Sequence, residues 1–69
     1  MSVDISNQIF EFVQNRHEKR ESTSPRHIHI RFGIEISQAE EYLSKLCIEG
    51  RITKYYDEEY QEDRYSLNQ

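Results

Sequence analysis

The sequence contains one cysteine, one proline, two glycines and no long apolar run. Cys47 has no second cysteine with which to form an internal disulfide. A membrane-spanning helix needs about 18 consecutive apolar residues, which the chain does not offer. Its first residues also lack the basic stretch and the apolar run of a signal peptide. We therefore expect a cytoplasmic protein that makes no contact with membranes.

Patterns for catalysis and for cofactor binding are absent too. The sequence has no glycine-rich phosphate loop and no recognisable catalytic pair, so we expect neither enzyme activity nor a cofactor. His27 and His29 form a His-x-His pair, but on a helix two such side chains point about 200° apart. Cys47 falls on an apolar helix face, where a small thiol usually packs. We predict no metal site.

Charge is distributed unevenly along the chain. Thirteen acids and nine bases give a net charge of -4. Residues 1–34 carry five bases and four acids, whereas residues 35–69 carry four bases and nine acids. Nucleic-acid binders normally present a basic face, and only the first half of this chain offers one.

Apolar residues at helical spacing predict three helices. The first has the stripe Ile5, Ile9, Phe12 and Val13, with Asp4 as its N-cap. The second begins at Ser24-Pro25, a capping residue followed by proline at the first helical position, and ends at Gly33. The only proline of the chain and one of its two glycines thus stand at the ends of the second helix, which supports these boundaries.

The third helix is predicted from "SQAE", in which Ser37 and Glu40 have the spacing of a capping box. Its apolar face consists of Ala39, Leu43, Leu46 and Cys47, and Gly50 is expected to end it. Beyond Gly50, "RITKYY" and "RYSL" are rich in strand-forming residues and predict a hairpin with its tip at residues 57–63. Ile52, Leu67 and Tyr65 are expected to face the helices, and residues 34–36 are a candidate third strand.

Three helices followed by a hairpin give an α+β fold that resembles the winged helix-turn-helix. The resemblance is most specific in "IHIRFGIEISQAEEYLSKLCIEGRI", and within that fold the chain looks most like the small FaeA-type regulators of fimbrial operons. The length of 69 residues predicts one domain over residues 1–69. The resemblance covers roughly Ile5 to Leu67 and implies a regulator from a bacterium, phage or plasmid, with double-stranded DNA as the partner, that controls a fimbrial operon together with a global regulator. The sequence departs from those regulators at Glu40, where they tend to carry arginine, and in an acidic rather than Gly- and Arg-rich wing.

Candidate DNA contacts follow from the predicted layout. The start of the third helix enters the major groove in such domains, which nominates Ser37, Gln38 and Glu41, with Lys45 one turn further on. Phosphate contacts are predicted for Arg26, Arg31, Lys45, Lys54 and Arg64. Glu40 and Glu41 equally fit a simpler interpretation, since acids at a helix start favour the macrodipole.

The acidic wing is compatible with three interpretations. In the first the tip is solvated and inert, and in the second it repels DNA. In the third it is a protein-binding surface made of Tyr55, Tyr56, Asp57, Glu58, Glu59 and Tyr60. The main prediction is a DNA-binding transcription regulator, a monomer or weak homodimer, whose wing contacts a second DNA-bound protein. The competing prediction is a winged-helix module, such as a phage or plasmid antagonist or adaptor, that binds protein and not DNA.

Overall fold

Three helices precede a two-stranded antiparallel hairpin in the computed structural model, which describes residues 5–67. Helix α1 spans Ser6–Glu18, α2 spans Pro25–Phe32 and α3 spans Ile36–Ile48. Strands β1 (Ile52–Asp57) and β2 (Glu62–Leu67) form the hairpin. The predicted α+β class and the order of the elements are confirmed. Asp4, the predicted N-cap of the first helix, lies outside the described residues.

Helix α1 packs its predicted apolar stripe inward. Ile9 and Val13 are fully buried, and Ile5 and Phe12 pack against them at the edge of the core. The helix ends at Glu18, and Arg20 then adopts a left-handed backbone conformation with φ 63°. This turn sends the chain back across the helix end towards α2.

Helix α2 has both of its predicted boundaries. Ser24 is the N-cap in an extended conformation, and Pro25 follows at the first helical position, where its missing N–H leaves no partner unmatched. At the other end Gly33 has φ 69°, a left-handed conformation that costs glycine nothing, and its N–H donates to the His29 carbonyl.

Helix α3 begins two residues earlier than its predicted cap allows. Its first residue is Ile36 and its N-cap is Glu35, whose N–H donates to Oε1 of Gln38 at 3.0 Å. The predicted capping box of Ser37 with Glu40 is therefore wrong. Glu35 and Gln38 have the same three-residue spacing, and the extended backbone of Glu35 places the cap there.

The hairpin tip is shorter than predicted. Asp57 pairs with Glu62 and Tyr56 with Asp63 in the strand ladder, so only residues 58–61 form the turn. The prediction of a tip over residues 57–63 missed these pairs because acidic residues have low strand propensity, whereas here the register continued from Ile52 and Leu67 carries them into the ladder.

The candidate third strand at residues 34–36 is also wrong, because Ile36 is already helical. The hairpin instead gains its extra backbone pairing from the link between α1 and α2. Thr23 N–H donates to the Tyr65 carbonyl at 2.9 Å, and Tyr65 N–H donates to the Thr23 carbonyl at 2.8 Å. This bridge fastens β2 beside the start of α2.

The core lies where the three helices meet the base of the hairpin. Its buried members are Ile9, Val13, Ile28, Ala39, Leu43, Leu46, Ile52 and Tyr65. Leu67 and Cys47 pack against this cluster from its margin. No helix within residues 5–67 is long and apolar enough to cross a membrane.

Candidate nucleic-acid interface

Helices α2 and α3 form a tight pair joined by only three residues. Ile28 of α2 and Ala39 and Leu43 of α3 are fully buried in the shared core, with Phe32 packed beside them. Because this apolar side of α3 is turned towards α2 and the core, its opposite side is left facing outward.

The outer face of α3 is a shallow, open groove. It is lined by Ser37, Glu40, Glu41, Ser44, Lys45, Ile48 and Glu49. Three of the four predicted base-reading residues, Ser37, Glu41 and Lys45, lie on this face. They are four residues apart and therefore form one row along the helix. We call this surface the α3 face.

Gln38, the fourth predicted base-reading residue, is placed differently. Its side-chain oxygen accepts the N–H of Glu35 at 3.0 Å and so completes the cap of α3. The amide is exposed but already has a structural partner. The three-residue spacing from Glu35 is the sequence signal that would have identified this role.

A second crevice continues the α3 face towards the wing. It lies between the start of α2, the start of α3 and the hairpin, and Glu40 lines both surfaces. Arg26 and Lys54, two predicted phosphate contacts, line this crevice. The structure thus brings Arg26, Lys54, Ser37, Glu41 and Lys45 onto one continuous side of the molecule.

Both bases of this crevice are ion-paired. Nη2 of Arg26 lies 2.7 Å from Oε1 of Glu62, although 66% of the Arg26 side chain remains exposed. Nζ of Lys54 lies 3.5 Å from Oδ2 of Asp63. Over the α3 face and the crevice together, three bases (Arg26, Lys45, Lys54) stand against five acids (Glu40, Glu41, Glu49, Glu62, Asp63), a net charge of -2.

Arg31 lies away from this side. It lines a crevice between α1 and α2 together with Glu11 and Phe12, and its guanidinium sits 5.7 Å from the centre of the Phe32 ring. A DNA duplex bound to the α3 face would therefore not contact Arg31. The structure therefore separates Arg31 from the other predicted phosphate contacts.

Arg64, also predicted to contact phosphate, is only 5% exposed. Its Nε donates to the Ser22 hydroxyl at 2.8 Å and its Nη1 to Glu62 at 2.7 Å. The guanidinium also stacks on the Tyr60 ring, 4.1 Å from its centre. These contacts tie the wing to the α1–α2 link and withdraw Arg64 from the surface.

The wing tip carries the predicted protein-binding residues, but not as one flat patch. Tyr55 is directly opposite Arg64 in the ladder and so shares its face, whereas Tyr56 projects from the other face. Asp57 accepts the N–H groups of Glu59 at 2.9 Å and Tyr60 at 3.3 Å, and thereby shapes the turn. Tyr56 and Tyr60 are 61% and 56% exposed.

Other reactive side chains have structural surroundings. Burial raises the pKa of the Cys47 thiol, so the group is protonated at neutral pH. Burial likewise raises the pKa of Tyr65. Within residues 5–67, no three His, Cys, Asp or Glu side chains are placed to hold a metal ion together.

Sequence reasoning missed the junction around His27. Arg16 of α1 donates to the Ser22 carbonyl through Nε at 2.9 Å and Nη2 at 2.7 Å, and Nη2 also lies 3.4 Å from the His27 ring. Ser24 and His27 form a capping box, in which histidine takes the place of the usual glutamate or glutamine. The spacing of Ser24 and His27 was the available signal.

Comparison with known proteins adds no relative. No protein-family model, no curated protein and no solved structure matches the chain.

Proposed function

We propose that this chain is a winged helix-turn-helix regulator of transcription, with α3 as the recognition helix and the β1–β2 hairpin as the wing. The order of the elements supports this, because a recognition helix that follows a short turn after α2, with a hairpin behind it, is the arrangement of that fold. The sequence resemblance to the FaeA-type regulators points the same way.

The open α3 face carries the proposal. A major groove about 12 Å wide admits one α-helix, and the residues at the start of that helix reach the base edges. Ser37 can donate to or accept from a base, Glu41 can accept from cytosine N4, and Lys45 can reach guanine or a phosphate. These three form the row that would lie along the groove.

The ion pairs of Arg26 and Lys54 do not prevent phosphate binding. A surface pair contributes only about 0–1 kcal/mol, so exchanging a carboxylate for a phosphate costs little. Glu62 would keep its second partner, Arg64, at 2.7 Å when Arg26 moves away. Asp63 is half exposed and would be solvated by water once Lys54 leaves it.

The excess of acids sets a limit on binding by this chain alone. A net charge of -2 on the proposed DNA side opposes a phosphate backbone over the Debye length of about 8 Å at physiological salt. We therefore propose that the protein binds DNA weakly by itself and tightly only beside a second, basic, DNA-bound protein. The acidic tip, with Tyr56 and Tyr60 exposed, is the surface we propose for that contact.

An NMR titration with duplex DNA at low salt tests the DNA contact. We expect the amide signals of Ser37, Glu41 and Lys45 to shift, and the shifts to weaken steeply as salt is added. Lys45→Gln should reduce the affinity and lower the salt slope by about 1.

Lys19→Gln is the matched control, since Lys19 is an exposed lysine at the end of α1. It removes the same charge from outside the α3 face and should leave the slope of the wild type. If Lys45→Gln and Lys19→Gln lose the same DNA affinity, the affinity depends on net charge alone. If only amide signals of α1 shift in the titration, α3 is not the recognition helix.

A second function is favoured by the same net charge of -2. The chain would then be a protein-binding module whose carboxylates occupy a partner's basic, phosphate-binding surface, and DNA would not be its ligand. In that case no salt-sensitive DNA complex forms at any salt concentration.

Neutralising the tip distinguishes the roles of the wing. We would replace Asp57, Glu58 and Glu59 by Asn, Gln and Gln. If the tip only repels DNA, this triple variant binds non-specific DNA more tightly at low salt. If the tip docks a basic protein, the variant associates with it more slowly, and Tyr60→Ala loses still more affinity. Wild-type behaviour in both assays would leave the tip with no role in binding.

A further inference from the structure

The His27 ring is built into the start of α2 as a hydrogen-bond acceptor. Its Nδ1 accepts the N–H of Ser24 at 3.0 Å and lies 2.9 Å from the Ser24 hydroxyl. A ring nitrogen that accepts an N–H carries no proton itself. His27 is therefore neutral when it accepts this bond, and its single proton is then on Nε2. The 3.4 Å contact of Nε2 with Nη2 of Arg16, which is also a donor, is then not a hydrogen bond.

The groups around His27 oppose a positive charge on its ring. Arg16 of α1 has Nη2 at 3.4 Å from Nε2, and Arg26 of α2 and Arg64 of β2 add two further cations. Among residues 5–67, Glu62 of β2 is the one carboxylate that acts on the ring in the other direction. Burial and then the cations Arg16, Arg64 and Arg26 lower the pKa of His27 from its ordinary 6.5.

Protonation would change the hydrogen bonding of the cap as well as its charge. With a proton on Nδ1 the ring can no longer accept from Ser24 N–H, and two N–H groups then face each other across 3.0 Å. The ring can still donate to the Ser24 hydroxyl. The first turn of α2 nevertheless loses one of the two bonds of its capping box.

The same short segment fastens the wing. Ser22 receives the guanidinium groups of Arg16 and Arg64, and Thr23 exchanges both of its backbone bonds with Tyr65. Ser24, the partner of His27, is the next residue. A displacement of Ser24 would therefore act on its chain neighbour Thr23, which holds β2 through the bridge with Tyr65.

We propose that His27 is a proton-sensitive fastener, which in its neutral form holds the wing to the start of α2 and in its protonated form releases it. The proposal goes beyond the proposed function, because it holds whatever ligand the α3 face binds. The fastener is closed near neutral pH and opens as the pH falls towards the lowered pKa of His27.

The pH range follows from the direction of the shift. Since the folded state holds the pKa of His27 below 6.5, the unfolded chain takes up its proton first. The contribution of the neutral ring is complete above pH 6.5, and it is lost as the pH falls below that value towards the lower pKa of the folded state.

A pH titration followed by NMR between about pH 8 and pH 5 tests the fastener. We expect the His27 ring to titrate with a midpoint below 6.5, and the amides of Ser24, Thr23 and Tyr65 to move with that same midpoint. Leu43 and Leu46 report on the core, and their signals should stay at their native positions through this transition.

The decisive variant is His27→Gln. Glutamine at the third helical position accepts the N–H of the cap at every pH, so the fastener stays closed. The amide signals of Thr23 and Tyr65 should then no longer change over the pH range in which His27 titrates in the wild type. His29→Gln is the control, and it should keep the wild-type midpoint at both amides.

Two results would overturn the proposal. One is a wild-type titration in which the amide signals of Thr23 and Tyr65 do not change with the midpoint of the His27 ring. This measurement does not depend on the His27→Gln variant being able to fold. The other is a folded His27→Gln variant in which both amides still titrate with the wild-type midpoint. Loss of DNA binding in the earlier experiments would leave both of these readouts unaffected.

Discussion

The hydroxyl of Thr23 offers a sharp test of the energetics of this fold. Thr23 is fully buried, and its backbone N–H and carbonyl are both bonded to Tyr65. Its side-chain Oγ1 has no hydrogen-bond partner among residues 5–67. Thr23→Val keeps the shape and the β-branch of the side chain, leaves the backbone bridge in place and removes only the unpaired hydroxyl.

The expected gain follows from the cost of burying an unpaired polar group. Leaving a buried donor or acceptor unsatisfied costs about 1–3 kcal/mol, and replacing it by a methyl group removes that cost. We take the lower end of this range. Thr23→Val should thus raise the free energy of unfolding by about 1 kcal/mol, which for a domain of this size raises the Tm by about 4–8 °C.

Urea and thermal unfolding, followed by circular dichroism, measure the change. Thr23→Ser is the matched control, since it keeps the hydroxyl and removes the methyl group. Its free energy of unfolding should be lower by about 0.8 kcal/mol or more, because one buried carbon is removed. If the Thr23→Val variant is less stable than the wild type, the Thr23 hydroxyl makes a hydrogen bond and the reasoning is refuted.

Four further substitutions test the core, the cap of α3 and the junction around His27. Leu43→Ala should cost about 2–5 kcal/mol, a large part of the stability of a 69-residue chain, and an unchanged Tm would remove Leu43 from the core. Glu35→Ala should lower the free energy of unfolding by about 1 kcal/mol, whereas Ser37→Ala should change it by less than about 0.5 kcal/mol. If urea unfolding shows the larger loss of stability for Ser37→Ala, Ser37 is the cap. His27→Glu should stabilise the protein at pH 7 by about 0.5–1 kcal/mol, since a glutamate keeps the capping box and adds a negative charge near Arg16, Arg64 and Arg26. A gain that persists unchanged in high salt would contradict this electrostatic cause.

Local signals in the sequence predicted the boundaries of α2 and much of the core. Proline at the first helical position and glycine at the end act through their own backbone preferences, and so Pro25 and Gly33 hold in the fold. The apolar periodicity likewise identified Ile9, Leu43 and Leu46, because a helix must bury the same stripe wherever it packs.

Where the sequence offered two possible hydrogen-bonding pairs for one helix end, it did not determine which pair forms. Two overlapping capping boxes were available at the start of α3, and the extended backbone of Glu35 selected the earlier one. The α3 face was predicted in part, since Ser37, Glu41 and Lys45 share one helix row. Gln38 left that set because its amide completes the cap.

The tertiary structure alone decided how the charged residues are used. Arg64 was predicted as a surface base, but Ser22 and Tyr60 meet its guanidinium, and Ser22 lies 42 residues away in the chain. Thr23 pairs with Tyr65 for the same reason, since the fold brings the α1–α2 link against β2. Periodicity and capping report interactions within a few residues, whereas an arginine is buried or exposed according to which distant segment folds over it.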